Sequence, residues 1–452
     1  MGAGAAAFML TALPSRDVAA AAALEDQHFV FCYFGGGWDI LMSLDPRDWG
    51  HSSYSALDVG WDQVDWTGSA DITDAGLADL ESLHGQVKPS GSNIDFGPLF
   101  YSLLMDGTED YSSLYKRGSI VRGISMDTLT HEVGRRYFIT GKPPAGTRAV
   151  GSTLTAEMIA QLDPDKLPLL TNLALRVEAY ADGLPFYANP ARLTDQNDLV
   201  RLLRRDNSAL SGSMADELKR YRTRARFDDS AHHDRLGLTA LIRASQEDAE
   251  ELVESGLSQE FATDKLQNAG VGFDTRLVGE RNAAITYQAL TRGLAHCANI
   301  SVTPSLDTHF DNWTDEQPSN QLEGWRAVAK LMRSLETTPY KDTSDNWLDH
   351  TTIVCFSEFA RTAKINARGG RDHNLVNAAY MVGAMAPQNK VIGGTDPDTM
   401  NPLRINPNTG ALSTTSSGIV LTPKILYSSL LRNAGFNTDG YRNVEIDALR
   451  QG

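Results

Sequence analysis

Residues 28–39 read HFVFCYFGGGWD, and the reading of this stretch decides the fold. His28 to Phe34 is a short, almost continuously apolar run that stops at Gly35, Gly36 and Gly37. A run of that length with no polar alternation, closed by glycines, predicts a parallel strand buried on both faces and followed by a loop. Trp38 and Asp39 then fall at the strand's carboxyl end.

Working outward, Gly118–Ile124 (GSIVRGI) is a second candidate strand, and Leu169–Leu175 is either a strand or a short helix. Further strands are expected at Asn299–Thr303 and, most clearly, at Thr351–Phe356 (TTIVCF). Helical spacing marks Phe100–Leu114, Thr155–Leu162, Thr286–Ala298, Gln321–Leu335 and Ile419–Leu431. Asp45–Ala70 and Gly141–Gly146 read as loops. From Thr194 to about Leu290 charges alternate with Leu and Ala, as in Asp216–Arg226 and Leu238–Gly256, which predicts a helical insertion or cap. Strands separated by helices imply an α/β protein with a mostly parallel central sheet covered by helices on both faces. The expectation is one domain over 26–452, interrupted by the insertion at 194–290.

The 452-residue chain is 41% hydrophobic and 22% charged, ordinary for a globular protein with a large core. A net charge of −16 repels phosphate backbones and argues against nucleic-acid binding. It leaves room for a small anionic substrate, because bound cations reverse the field inside a pocket. Cys32, Cys297 and Cys355 are too few and too scattered for a disulfide framework and read as small core residues. Residues 1–25 are rich in Ala, and the apolar stretch Ala5–Leu13 is too short to span a bilayer. It resembles the apolar and cleavage-site portion of a secretion signal without its basic front. That reading makes the protein periplasmic or secreted, with a twin-arginine segment originally ahead of Met1; the alternative is an Ala-rich tail. No other segment is apolar enough to be transmembrane, and the oligomeric state is not legible.

Ligands of open α/β sheets gather beyond the carboxyl ends of the strands, so polar residues just past each strand carry the chemistry. Asp39 reads as a metal ligand or as a helix-capping carboxylate. Asp307 and His309, two apart, can reach one cation from an extended segment, or form a turn in which Asp307 bonds its own backbone. Glu358 follows TTIVCF directly, either as a ligand or as a helix-start partner of Arg361. Gly369–Asn374 (GGRDHN) sets Asp372 and His373 beside Arg371, a pairing suited to a cation with a guanidinium to hold an oxyanion. Thr130, His131, Arg135 and Arg136 lie in MDTLTHEVGRRYFITG after the second strand. The arginines there are also compatible with a salt-bridged helix surface.

GGGWD, THEVGRRYFITG, LDTH, SEFART and GGRDHN, in that order over residues 28–435, resemble the bacterial family called domain of unknown function 1501. That family is similar to alkaline phosphatases, sulfatases and cofactor-independent phosphoglycerate mutases, and its members are typically exported. The resemblance implies a three-layer α/β/α sandwich with two divalent cations, Zn, Mg, Mn or Ca. It implies Asp39 on one metal, Asp307 and His309 on the other, and Glu358, Asp372 and His373 as further ligands. Counting back ten from Gly141, to where a phosphatase carries its nucleophile, lands on His131, with Thr130 just before it. So Thr130 is the nucleophile in a shifted register, His131 accepts the phosphoryl group, metal-activated water attacks, or catalysis is lost. No Cys-x-Pro-x-Arg stands there, which argues against sulfatase chemistry. Arg135 or Arg371 would hold the nonbridging oxygens. The expected activity is hydrolysis of a small anionic phosphate or related ester; the rival is an inactive exported binding or structural protein that keeps the fold.

Overall fold

The computed structural model describes residues 24–49, 74–105, 109–146, 148, 150–168, 170–204, 257–442 and 444–450. The Ala-rich start and the helices expected at Asp216–Arg226 and Leu238–Gly256 lie outside those residues.

Ten strands are described: β1 His28–Tyr33, β2 Gly118–Ser125, β3 Leu170–Leu175, β4 Ala191–Leu193, β5 Ala295–Ser301, β6 Thr351–Phe356, β7 Ala360–Arg361, β8 His373–Asn374, β9 Val376–Gly383 and β10 Lys390–Gly393. Eight of them form one sheet in the order β10-β2-β9-β6-β1-β5-β3-β4. Only β9 runs against its neighbours β2 and β6. Every other adjacent pair is parallel. The protein is a mixed α/β fold on a large, mostly parallel sheet.

β1 is buried along its whole length, between β6 and β5. Val30, Cys32 and Phe34 enter one hydrophobic cluster, and Phe29, Phe31 and Tyr33 enter another. The helices Val278–Thr291 and Trp313–Thr337 supply the first cluster; His131–Thr140, Leu154–Ile159 and Pro423–Asn433 supply the second. A strand lined on both faces has no reason to alternate, which is why HFVFCY does not. Burying a phenylalanine such as Phe29 or Phe31 contributes about 1.5–3 kcal/mol each. The three cysteines are free and buried.

Several elements differ from expectation. The helix expected over Thr286–Ala298 runs instead over Val278–Thr291, and Gly293, at φ +68°, turns the chain into β5 from Ala295. The two alanines in AHCANIS suit a helix by intrinsic preference, but pairing between β1 and β3 overrides it. Phe100–Leu114 holds only short turns, Tyr101–Leu104 and Ser113–Lys116, among its described residues. The last helix starts at Pro423, where Thr422 accepts the Ile425 N–H and the proline occupies the first turn. β4, β7, β8, β9 and β10 have no counterpart in the sequence reading.

This topology brings the site together. Parallel strands β1, β2, β3, β5 and β6 all end at one edge, so the loops after them share it. β9, being reversed, begins at that edge, and the chain just before it arrives there as well. That chain is β8, which pairs antiparallel with β7 and sets His373 opposite Arg361.

Candidate metal centre

His131 is the first residue of the helix His131–Thr140, after β2. Asp307 and His309 lie in the loop after β5, and His373 comes from β8. That loop approaches the glycine turn after β1 very closely. A Cβ on Gly36, which sits at φ +112°, would come within 2.5 Å of the Leu306 nitrogen and 2.6 Å of the Asp307 nitrogen. Only glycine fits there.

His131, Asp307, His309 and His373 each direct one donor atom to a common point, all within 4.8 Å of one another. Asp307 Oδ1 lies 3.4 Å from His131 Nε2, 3.1 Å from His309 Nε2 and 3.8 Å from His373 Nε2. His309 Nε2 and His373 Nε2 are 2.9 Å apart.

The opposite nitrogen of each ring is held by an acceptor. His131 Nδ1 donates to Glu358 Oε1 at 2.7 Å, His309 Nδ1 to Asp372 Oδ1 at 3.0 Å and His373 Nδ1 to the Leu129 carbonyl at 2.7 Å. A neutral imidazole has one N–H, so in the tautomer that places it on Nδ1 each Nε2 presents a lone pair. Arg361 supports this for His309, because its Nη1 stands 3.2 Å from His309 Nε2 and a guanidinium only donates. Three imidazole lone pairs and a carboxylate oxygen thus converge. Such a group could hold a metal ion, and rings oriented through Nδ1 by a carboxylate or a backbone carbonyl are a usual setting of a metal site.

Electrostatics agrees. Burial pushes the Asp307 carboxyl up, but the hydrogen bond and charge of Arg361 hold it below the usual range. Glu358 is likewise pushed up by burial and held low by His131 and Ser357. It also accepts the Gly36 N–H at 3.0 Å. Asp372 is held low first by His309, with Asn366 assisting. All three stay ionised near neutrality.

Arg361 is the residue that sequence reasoning passed over. It is fully buried and donates to Asp307 Oδ1 at 2.6 Å, to the Gly37, Leu306 and Arg371 carbonyls, and to Gly36 O. In SEFART it looks like a solvated partner of Glu358, and only the β7–β8 register reveals its place.

Of the residues singled out in the sequence, the structure gathers Asp307, His309, His373 and His131. Glu358 and Asp372 stand one layer out, on the Nδ1 side of His131 and His309. Asp39 and Arg371 lie apart from the group, both fully buried, and pair with each other at 2.7 Å. The Asp39 carboxylate also accepts from Trp313 Nε1 at 3.1 Å and from the Leu41 N–H. Burial pushes it above the usual range, against the pull of Arg371. Arg135 pairs with Glu178 at 2.8 Å. Thr130 is exposed, immediately ahead of the helix.

No curated protein matches the chain. Among solved structures, one described as "Crystal structure of Ps i-CgsB in complex with k-i-k-neocarrahexaose" aligns with 93% of this chain and 75% of its own, at 10% identity and a TM-score of 0.36. No helix among the described residues is long and apolar enough to cross a membrane. The family model described as "Protein of unknown function (DUF1501)" matches residues 105–416, and the chain belongs to that family.

Proposed function

We propose that this protein is an exported, metal-dependent hydrolase of phosphate or related (sulfate, phosphonate) esters, on an alkaline-phosphatase-like α/β/α sandwich. The observation that carries the reading is the convergence of three imidazole Nε2 atoms and Asp307 Oδ1, with every Nδ1 already held from behind. His131, Asp307, His309 and His373 would hold one divalent cation, and the imidazole-rich set favours Zn over Mn, Mg or Ca. When bound, the ion supplies Lewis acidity toward an ester oxygen and acidifies water.

The chain's own residues do the rest. Glu358 and Asp372 fix the orientation of His131 and His309. Arg361 anchors Asp307 and offsets its charge. The reading takes a single cation rather than two, because Asp39, the expected ligand of the second, is neutralised by Arg371. It makes His131 a ligand rather than a phosphoryl acceptor. The four-residue group contains no hydroxyl or thiol. Water therefore suits the attack better than Thr130, and the same observation is what favours the rival reading of a non-catalytic binder.

The test is elemental analysis of the purified protein, followed by a screen of aryl phosphate and sulfate esters with added Zn²⁺, Mn²⁺, Mg²⁺ or Ca²⁺. Expected are bound metal, its loss in Asp307→Ala and His373→Ala, and turnover abolished by chelator. Full metal content in both variants would defeat the metal site; bound metal without turnover of any ester would favour the binder.

A further inference from the structure

A cavity of about 370 Å³ opens at the carboxyl ends of β1, β3 and β4, lined by Tyr33, Arg135, Arg176, Glu178, Arg192 and Thr194 among others. Its wall holds three guanidiniums against one carboxylate, in a protein whose net charge is −16. Local positive charge against such a background selects for anions.

Each guanidinium is anchored by part of its donor set. Arg135 Nη2 donates to Glu178 at 2.8 Å, Arg176 Nε to the Thr194 carbonyl at 2.9 Å and Arg192 Nη2 to the Ala179 carbonyl at 2.9 Å. A guanidinium has five N–H donors, and these bonds leave donors on Arg176 and Arg192 for a ligand. Arg135 Nε is buried and makes no hydrogen bond among the described residues. Arg176 is held at φ +55°, a conformation that non-glycine residues rarely adopt and that clusters at ligand-binding sites.

The cavity adjoins the metal centre through two links. Arg135 lies one helical turn beyond His131, on the same helix face. Tyr33, in the cavity wall, interacts through its side chain with Glu358, the carboxylate that holds His131.

We infer that this cavity is an anion subsite, formed by Arg135, Arg176 and Arg192, that takes a second phosphate, sulfate or carboxylate group of the substrate. The substrate class is then an ester with at least two anionic groups, one at the metal and one on the arginines. The substrate assignment rests on the hydrolase reading, whereas the anion subsite stands by itself.

Binding of inorganic pyrophosphate, measured by calorimetry in excess chelator, separates the two. Wild-type protein and His309→Ala should bind it alike, and Arg176→Ala/Arg192→Ala should lose tenfold or more, with unchanged circular dichroism. Arg192→Gln, a milder change at an exposed position, should weaken it in the same direction. Absence of binding to wild-type protein, or equal binding to the double variant, overturns the subsite. Where turnover exists, KM for a bisphosphate ester should lie below that for 4-nitrophenyl phosphate, and the double variant should erase the difference. Equal KM values in the wild type overturn the substrate class. Pyrophosphate binding without turnover of any ester supports the subsite and removes the hydrolase.

Discussion

His309 and His373 bring their Nε2 atoms to 2.9 Å although each ring donates its Nδ1 hydrogen elsewhere, to Asp372 and to the Leu129 carbonyl. Two lone pairs facing each other at that distance repel unless positive charge lies between them. A cation held by residues from three separate segments would bind the folded chain in preference to the unfolded one. Zn²⁺ or Mn²⁺ at a hundred times its Kd should therefore raise the unfolding free energy by about 2.7 kcal/mol. Urea titrations with metal and with chelator measure this, and equal stabilisation of His309→Ala would count against the centre.

Glu358→Gln keeps the shape of the side chain and removes its charge. The glutamine can still accept from His131, but the ionic support of the ring is gone. Metal affinity should fall about 10- to 100-fold, as for other residues behind a ligating histidine. Competition with a chelating dye reads the affinity; a wild-type value would mean that Glu358 does not orient His131.

Asp39→Ala addresses a different role. It leaves the Arg371 guanidinium buried without its carboxylate, and breaking such a pair costs about 3–5 kcal/mol. Denaturant unfolding should show that loss while refolded protein still takes up metal. Loss of metal with stability preserved would make Asp39 a ligand after all.

Stability should also depend on pH through a histidine far from the site chemistry. Burial pushes His296 from 6.5 down to about 4, and His28, hydrogen-bonded to its carbonyl, is lowered too. Between those pH values the unfolded chain binds a proton that the folded chain refuses. Stability should be flat in this respect above about pH 6.5 and fall on acidification toward pH 4, by on the order of 3 kcal/mol from His296. Urea unfolding across that range checks it, and His296→Gln should flatten the profile; an unchanged slope in the variant assigns it elsewhere.

TTIVCF was legible because a buried central strand announces itself by composition, and β6 occupies those very residues. β9 was not, because VNAAYMVG mixes an amide and small residues and follows a polar loop. His131, Asp307, His309 and His373 come together because parallel strand ends converge, which the strand pattern makes legible. Their roles were not legible. Glu358 and Asp372 differ from Asp307 only in which nitrogen of a neighbouring ring they meet, and residue type carries no such information. Asp39 and Arg371 are both polar residues beside glycines, and nothing in either segment reveals that they neutralise each other across more than three hundred residues. Arg361 depends on the pairing of two-residue strands, which has no periodic signal.

The reversed strand has a consequence for biosynthesis. β2 and β10 reach the remainder of the sheet only through β9, which is wedged between β2 and β6. A nascent chain, or a proteolysed one ending before Val376, lacks the strand that joins β2, and through it the start of the His131 helix, to β6. Pairing across such sequence separations is slow. On the metal-centre reading, cation capture would follow that pairing, opposite to small zinc modules in which the ion itself nucleates the structure.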